Sequence, residues 1–172
     1  MALILRELTA DDEAAFLEGF KAWQGESSHW HSFDWKPGDD FRAHLRRLKQ
    51  DKYGVDLPAG RVAHSMLYGV VDGAIVGRVS IRHDLNEYLR RRGGHVGYGV
   101  APAFRRRGYA SEMFRQALDY CRGIGLHRVM ITCDDTNVGS WKILENAGAE
   151  LAEKFHDDET KSLARRYWLD VP

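Results

Sequence analysis

Only two cysteines, Cys121 and Cys133, occur in the 172 residues. That excludes a disulfide framework and a four-thiolate zinc site, and it fits a reduced, cytoplasmic setting. No apolar run approaches the roughly 20 residues that a membrane span needs. The apolar start Ala2-Leu3-Ile4-Leu5 has no basic region before it, unlike a secretory signal peptide. No membrane partner is expected. Charge of one sign is not in excess either: Lys plus Arg number 25, and so do Asp plus Glu. A chain whose main partner is nucleic acid is therefore not expected. Repeats and low-complexity linkers are missing, and the length suits one domain, residues 1–172, with a real core. What is present, 44% hydrophobic residues, belongs to a folded globular chain rather than a disordered one.

The hydrophobic pattern predicts a first strand over Leu3 to Leu8. A capping-box-like start at Thr9-Ala-Asp-Asp12 follows, with Phe16, Phe20 and Trp23 at helical spacing. A second helix is predicted over Asp39 to Lys52, with Phe41, Leu45 and Leu48 on one face, and the Trp- and His-rich stretch from Trp23 to Pro37 reads as a loop. Ala63 to Val71 and Ala74 to Arg82 read as a hairpin around Asp72-Gly73, a dipeptide that favours the left-handed conformations of a tight turn. Asn86 to Arg92 reads as a short helix or loop, and His95 to Val100 as a strand. The clearest helix carries Ala110, Met113, Phe114, Ala117, Leu118 and Cys121 on one face. Arg128 to Cys133 is a strand, Asn137 to Ala147 a helix, and Ala149 to Phe155 and Arg165 to Val171 are closing strands. The sum is an α/β (α+β) chain with a mixed sheet and helices on its faces.

Between the strand ending at Val100 and the clearest helix lies Val100-Ala-Pro-Ala-Phe-Arg105-Arg106-Arg107-Gly108-Tyr109-Ala110. Such a turn offers free backbone N–H groups and positive charge at a helix N-terminus, which suits a phosphate. Arginines there otherwise oppose the helix dipole. The familiar nucleotide loops do not fit. A dinucleotide fingerprint needs Gly-x-Gly-x-x-Gly, whereas Gly97-Tyr-Gly99 runs into Pro102; a Walker loop needs Gly-Lys, which the chain lacks.

Arg105-x-x-Gly108-x-Ala110 resembles the acetyl-CoA pyrophosphate signature of the GNAT superfamily of N-acetyltransferases. Asn137-x-x-Ser140 with the helix behind it resembles that family's second motif. The element order is similar from first strand to last, so the resemblance spans nearly the whole chain. It implies the GNAT fold, a mixed, mostly antiparallel sheet splayed between the strands that end at Val100 and Cys133. The cofactor would be acetyl-CoA, with no metal. The pantetheine arm would lie in the splay against backbone groups of Tyr98, Gly99 and Val100. The pyrophosphate would sit on the turn from Arg105 through Arg106, Arg107, Gly108 and Tyr109 to Ala110, and Asn137 and Ser140 would reach the arm from the other side. Dimers are common in this fold, so a homodimer is an expectation by analogy.

The implied reaction is direct transfer of acetyl to a primary amine of a small molecule. An alkyl ammonium must first lose a proton, and the departing thiolate gains from a proton donor. Leu144 stands where many family members have the donor tyrosine, and Gly94 where a carboxylate base is common. The remaining catalytic candidates are His95 and Tyr98. Trp23, Trp30 and Trp35 are expected to wall the acceptor. His29-Trp-His31 has too few ligands for a metal. Two rival readings stand beside the small-molecule enzyme: a non-catalytic acyl-CoA-binding or sensing module, and a protein or peptide acetyltransferase.

Overall fold

The computed structural model describes residues 2–23, 26 and 30–171. Its elements run β1 (Ile4–Arg6), α1 (Glu13–Lys21), α2 (Phe41–Tyr53), β2 (His64–Val71), β3 (Ala74–Arg82), α3 (Glu87–Arg91), β4 (Val96–Val100), α4 (Tyr109–Gly123), β5 (Arg128–Asp134), α5 (Val138–Asn146), β6 (Glu150–His156) and β7 (Leu163–Asp170). This is the order predicted from periodicity, with the polar stretch after Asn86 resolved as a helix. The first strand is shorter than Leu3 to Leu8, because Leu8 packs instead beside Phe16 at the foot of α1. Asp12 closes the turn before α1: its carboxylate accepts from the Thr9 N–H at 2.7 Å and the Thr9 hydroxyl at 2.9 Å, and Arg6 grips it from β1. That pairing holds Asp12 well below the usual carboxylate range.

The strands form two antiparallel sheets, β1-β2-β3-β4 and β5-β7-β6. The hairpin turns at Asp72 and Gly73, both at positive φ (51° and 80°). On one face of the first sheet Met113, Phe114, Ala117 and Cys121 of α4 pack with Val76, Val79 and Ile81. On the other, α1 and α2 bring Phe16, Trp35 and Phe41 against Met66, Tyr68 and Ile75. The sheet is thus covered on both sides, and the polar face of β3 is not a solvent face: Arg78 is 1% exposed and Ser80 fully buried. Among the described residues no helix is long and apolar enough to cross a membrane, and no three His, Cys, Asp or Glu side chains are grouped to hold a metal.

Candidate functional site

The two sheets touch at one end of β4 and part at the other. Among the described residues the one β-bridge between them is Gly94 to Ile131. Gly94 has φ +67°, and a Cβ there would collide with the Met130 carbonyl and crowd the Ile131 Cα at 3.1 Å, so no larger residue lets the strands approach this closely. The chain then turns so that the His95 N–H donates to the Met130 carbonyl on β5 (2.7 Å). The His95 carbonyl accepts from Arg82 on β3 (2.8 Å). Beyond this joint β4 and β5 diverge, and β4 has a free edge. Ala101 donates its N–H to Val76 of β3 at 3.0 Å. Strand alternation therefore turns the backbone groups of Gly97 and Gly99 to β3, and those of Tyr98 and Val100 to the gap. The expected backbone contact from Gly99 is corrected on that ground. What Gly99 contributes is a bare face: a Cβ there would meet Trp23 and Trp30, each at 3.2 Å.

The gap holds a cavity of about 450 Å³ whose lining includes Trp23, Trp30, Tyr98, Val100, Asn137 and Ser140. It continues into a second of about 590 Å³ against Arg106, Gly108, Tyr109 and Val138, with Val100, Arg105, Ala110, Gly139 and Ile143 shared by both. The turn in the second cavity is built for close approach. Gly108 is the N-cap of α4 at φ +80°, no side chain caps the helix, and a Cβ at 108 would meet nothing within 4 Å. The first-turn N–H groups of a 15-residue helix therefore face the groove without a partner among the described residues. Arg106 is itself at positive φ (61°). Arg107 lines neither cavity; its guanidinium lies 5.9 Å from the Phe104 ring centre. Arg105 turns away from the helix end. Its Nε donates to the Val100 carbonyl at 2.9 Å, and its two terminal nitrogens fork onto Glu26 at 2.7 and 2.6 Å. Glu26 comes from between α1 and α2, so Arg105 ties that residue to the end of β4.

Across the gap, Asn137 caps α5 by accepting from the Ser140 N–H at 3.1 Å. The Tyr98 hydroxyl spans the gap to the Ser140 hydroxyl at 3.0 Å. Its ring rests on Phe114, and burial pushes its phenol up to about 12. Leu144 is fully buried and takes no part in the lining. Burial also pushes the Cys133 thiol up, as befits a core residue, and Cys121 likewise.

The other predicted residues fall elsewhere. His95 is buried at the joint, where its Nδ1 accepts from the Met130 N–H at 2.9 Å and burial lowers its pKa; it lines neither cavity. Trp35 is corrected from wall to core. It stands edge-on to Phe16 (5.2 Å) and Phe20 (4.9 Å), because the loop doubles back under α1 before it reaches α2. His31 is buried in the same layer and donates from Nε2 to the Phe16 carbonyl at 3.0 Å; His29 lies outside the described residues. Sequence reasoning missed Glu26, whose pairing with Arg105 spans 79 positions and leaves no local signal.

The sequence matches a family model described as acetyltransferase (GNAT) domain over residues 2–150. No curated protein matches it. Solved structures that share the fold include a Salmonella typhimurium protein with its cofactor acetyl-CoA (15% identity, TM-score 0.64, 100% of this chain and 95% of that one). Mycobacterium smegmatis RimJ in complex with CoA-disulfide is another (19%, TM-score 0.69, 98% and 81%). A third is RimL, a ribosomal L7/L12 alpha-N-protein acetyltransferase in complex with coenzyme A (16%, TM-score 0.69, 99% and 95%). The residues present fit such a group: a β4 edge with no partner strand among the described residues, an uncapped helix N-terminus at a glycine, and a continuous groove between them.

Proposed function

Because the chain belongs to the GNAT acetyltransferase family and uses acetyl-CoA, we propose that it acetylates the primary amine of a small molecule by direct attack. The observation that carries the small-molecule reading is the Glu26–Arg105 clasp. It ties Glu26 to the rim of the gap that Trp23 and Trp30 line, and aromatic walls at that rim support a small acceptor. Two aromatic faces there suit a cationic or neutral amine.

Acetyl-CoA supplies the acetyl group as a thioester with a good leaving group. The edge of β4 at Tyr98 and Val100 holds the pantetheine arm in the manner of an added strand. The N-terminus of α4 at Gly108 to Ala110, with Arg106 beside it, holds the pyrophosphate, each favourable dipole contact contributing about 0.3–1 kcal/mol. Asn137 and Ser140 hold the α5 side of the gap. Tyr98 keeps its proton at neutral pH and lines the cavity, so it is the group able to donate to the departing sulfur. The Glu26 carboxylate, held below its usual range by Arg105, is a poor base. His95 acts at the joint. The amine therefore loses its proton to water, and the rate rises with pH towards the acceptor's own pKa.

A thiol-release assay against a broad amine panel tests this reading. Release with small primary amines supports it. Tight acetyl-CoA binding with release on no amine would make the chain a sensor, and release with peptide N-termini alone would make it a protein acetyltransferase.

A further inference from the structure

On the face of the sheet that carries Trp23 and Trp30, β3 presents Arg78, Ser80 and Arg82, and β4 presents Gly99 and Gly97 opposite the first two. The two glycines leave β4 without side chains, and both are only half-buried. At one end of this floor Gly99 lies under the Trp23 and Trp30 rings. At the other, an Arg82 guanidinium nitrogen lies 3.1 Å from where a Cβ on Gly97 would be, with the Ser80 hydroxyl at 3.3 Å. Two strand residues separate these ends, a span of about 7 Å. Arg78 lies on this same face and holds the Trp30 backbone over it: its Nε donates to the Trp30 carbonyl at 2.8 Å, and its guanidinium sits 4.2 Å from the Phe33 ring centre. Phe33 and Arg82 line a further cavity of about 280 Å³.

The Arg82 guanidinium makes no hydrogen bond or ion pair among the described residues, although burial pushes its pKa down to about 10. Its neighbours in that cavity do not compete for an anion. Arg61 is forked onto Asp34, and the nearby Asp51 is held by Arg47. Withdrawing a cation from water without a partner is costly, and a guanidinium fork matches a carboxylate. Resting on the acetyltransferase reading above, we propose that the acceptor is a small amine that also carries a carboxylate, an amino acid with several bonds between the two groups. Its carboxylate sits on Arg82, and its amine is held against the Trp23 and Trp30 rings beside the gap.

The test compares ω-amino acids of increasing length with their carboxamides, in the wild type and in Arg82→Met and Gly97→Ala. The wild type is expected to prefer the acids at least tenfold in kcat/KM. Arg82→Met is expected to erase that preference through KM, Arg82→Lys to restore part of it, and Gly97→Ala to raise KM for the acids by filling the floor. Gly97→Ala meets only side-chain ends, so it keeps the fold. Equal use of acid and carboxamide by the wild type overturns the proposal while leaving the acetyltransferase reading intact, and so does a parallel fall for both in Arg82→Met. If no amine supports thiol release, that reading fails instead. The Arg82 site is then judged by thermal shift with the amino acids alone: stabilisation that Arg82→Met abolishes supports it, and none overturns it.

Discussion

At the residue scale the proposed proton donor is Tyr98, since the buried Leu144 has no proton to give. The Tyr98 hydroxyl reaches the Ser140 hydroxyl from β4, and it is held protonated by burial. Removing only that oxygen should separate chemistry from binding. Tyr98→Phe is expected to lower kcat about a hundredfold while acetyl-CoA affinity, read by calorimetry, changes less than threefold. An equal loss of affinity and turnover would make Tyr98 a packing residue. The site was partly legible at this scale. Gly108 and Asn137 announce themselves because their roles are local, one a helix cap at positive φ and the other a side chain bonding three residues on. The direction of Arg105 was not legible, because its partner Glu26 comes from a distant segment.

At the scale of elements, the layer formed by α1, α2 and the loop between them is an aromatic stack with histidine built in. His31 lies 4.6 Å from the Phe16 ring and 5.8 Å from Tyr68, and burial lowers its pKa to about 4. In the unfolded chain it protonates near 6.5, so acid favours unfolding. The stability that neutral His31 lends is complete above pH 6.5 and is lost as pH falls towards 4, by about 2 kcal/mol between pH 7 and pH 5. His44, His64, His83 and His95 are shifted the same way by burial and add to the slope. Urea melts of His31→Leu should show a pH dependence flatter by about that amount; an unchanged slope would remove His31 as a source. The Trp-rich loop was legible as a loop, but its inward and outward sides were not. Nothing in the spacing of Trp30 and Trp35 says that the first faces the gap and the second the core.

At the scale of the molecule, function depends on a sheet that closes at Gly94 and His95 and opens beyond them. Element order and the hairpin were readable from periodicity. The opening was not, because it is made by Gly94 and Met130, far apart in sequence, and entered only through family resemblance. The central claim is that this opening, continued to the N-terminus of α4, holds acetyl-CoA. Calorimetric titration of acetyl-CoA into the wild type, Gly108→Asn and Gly108→Asp tests it most directly. Asparagine tolerates the left-handed backbone of residue 108, so Gly108→Asn is expected to bind within about tenfold of wild type. A carboxylate about 4 Å from a phosphate costs about 4 kcal/mol, so Gly108→Asp is expected to lose binding altogether. Wild-type affinity in Gly108→Asp would contradict the account.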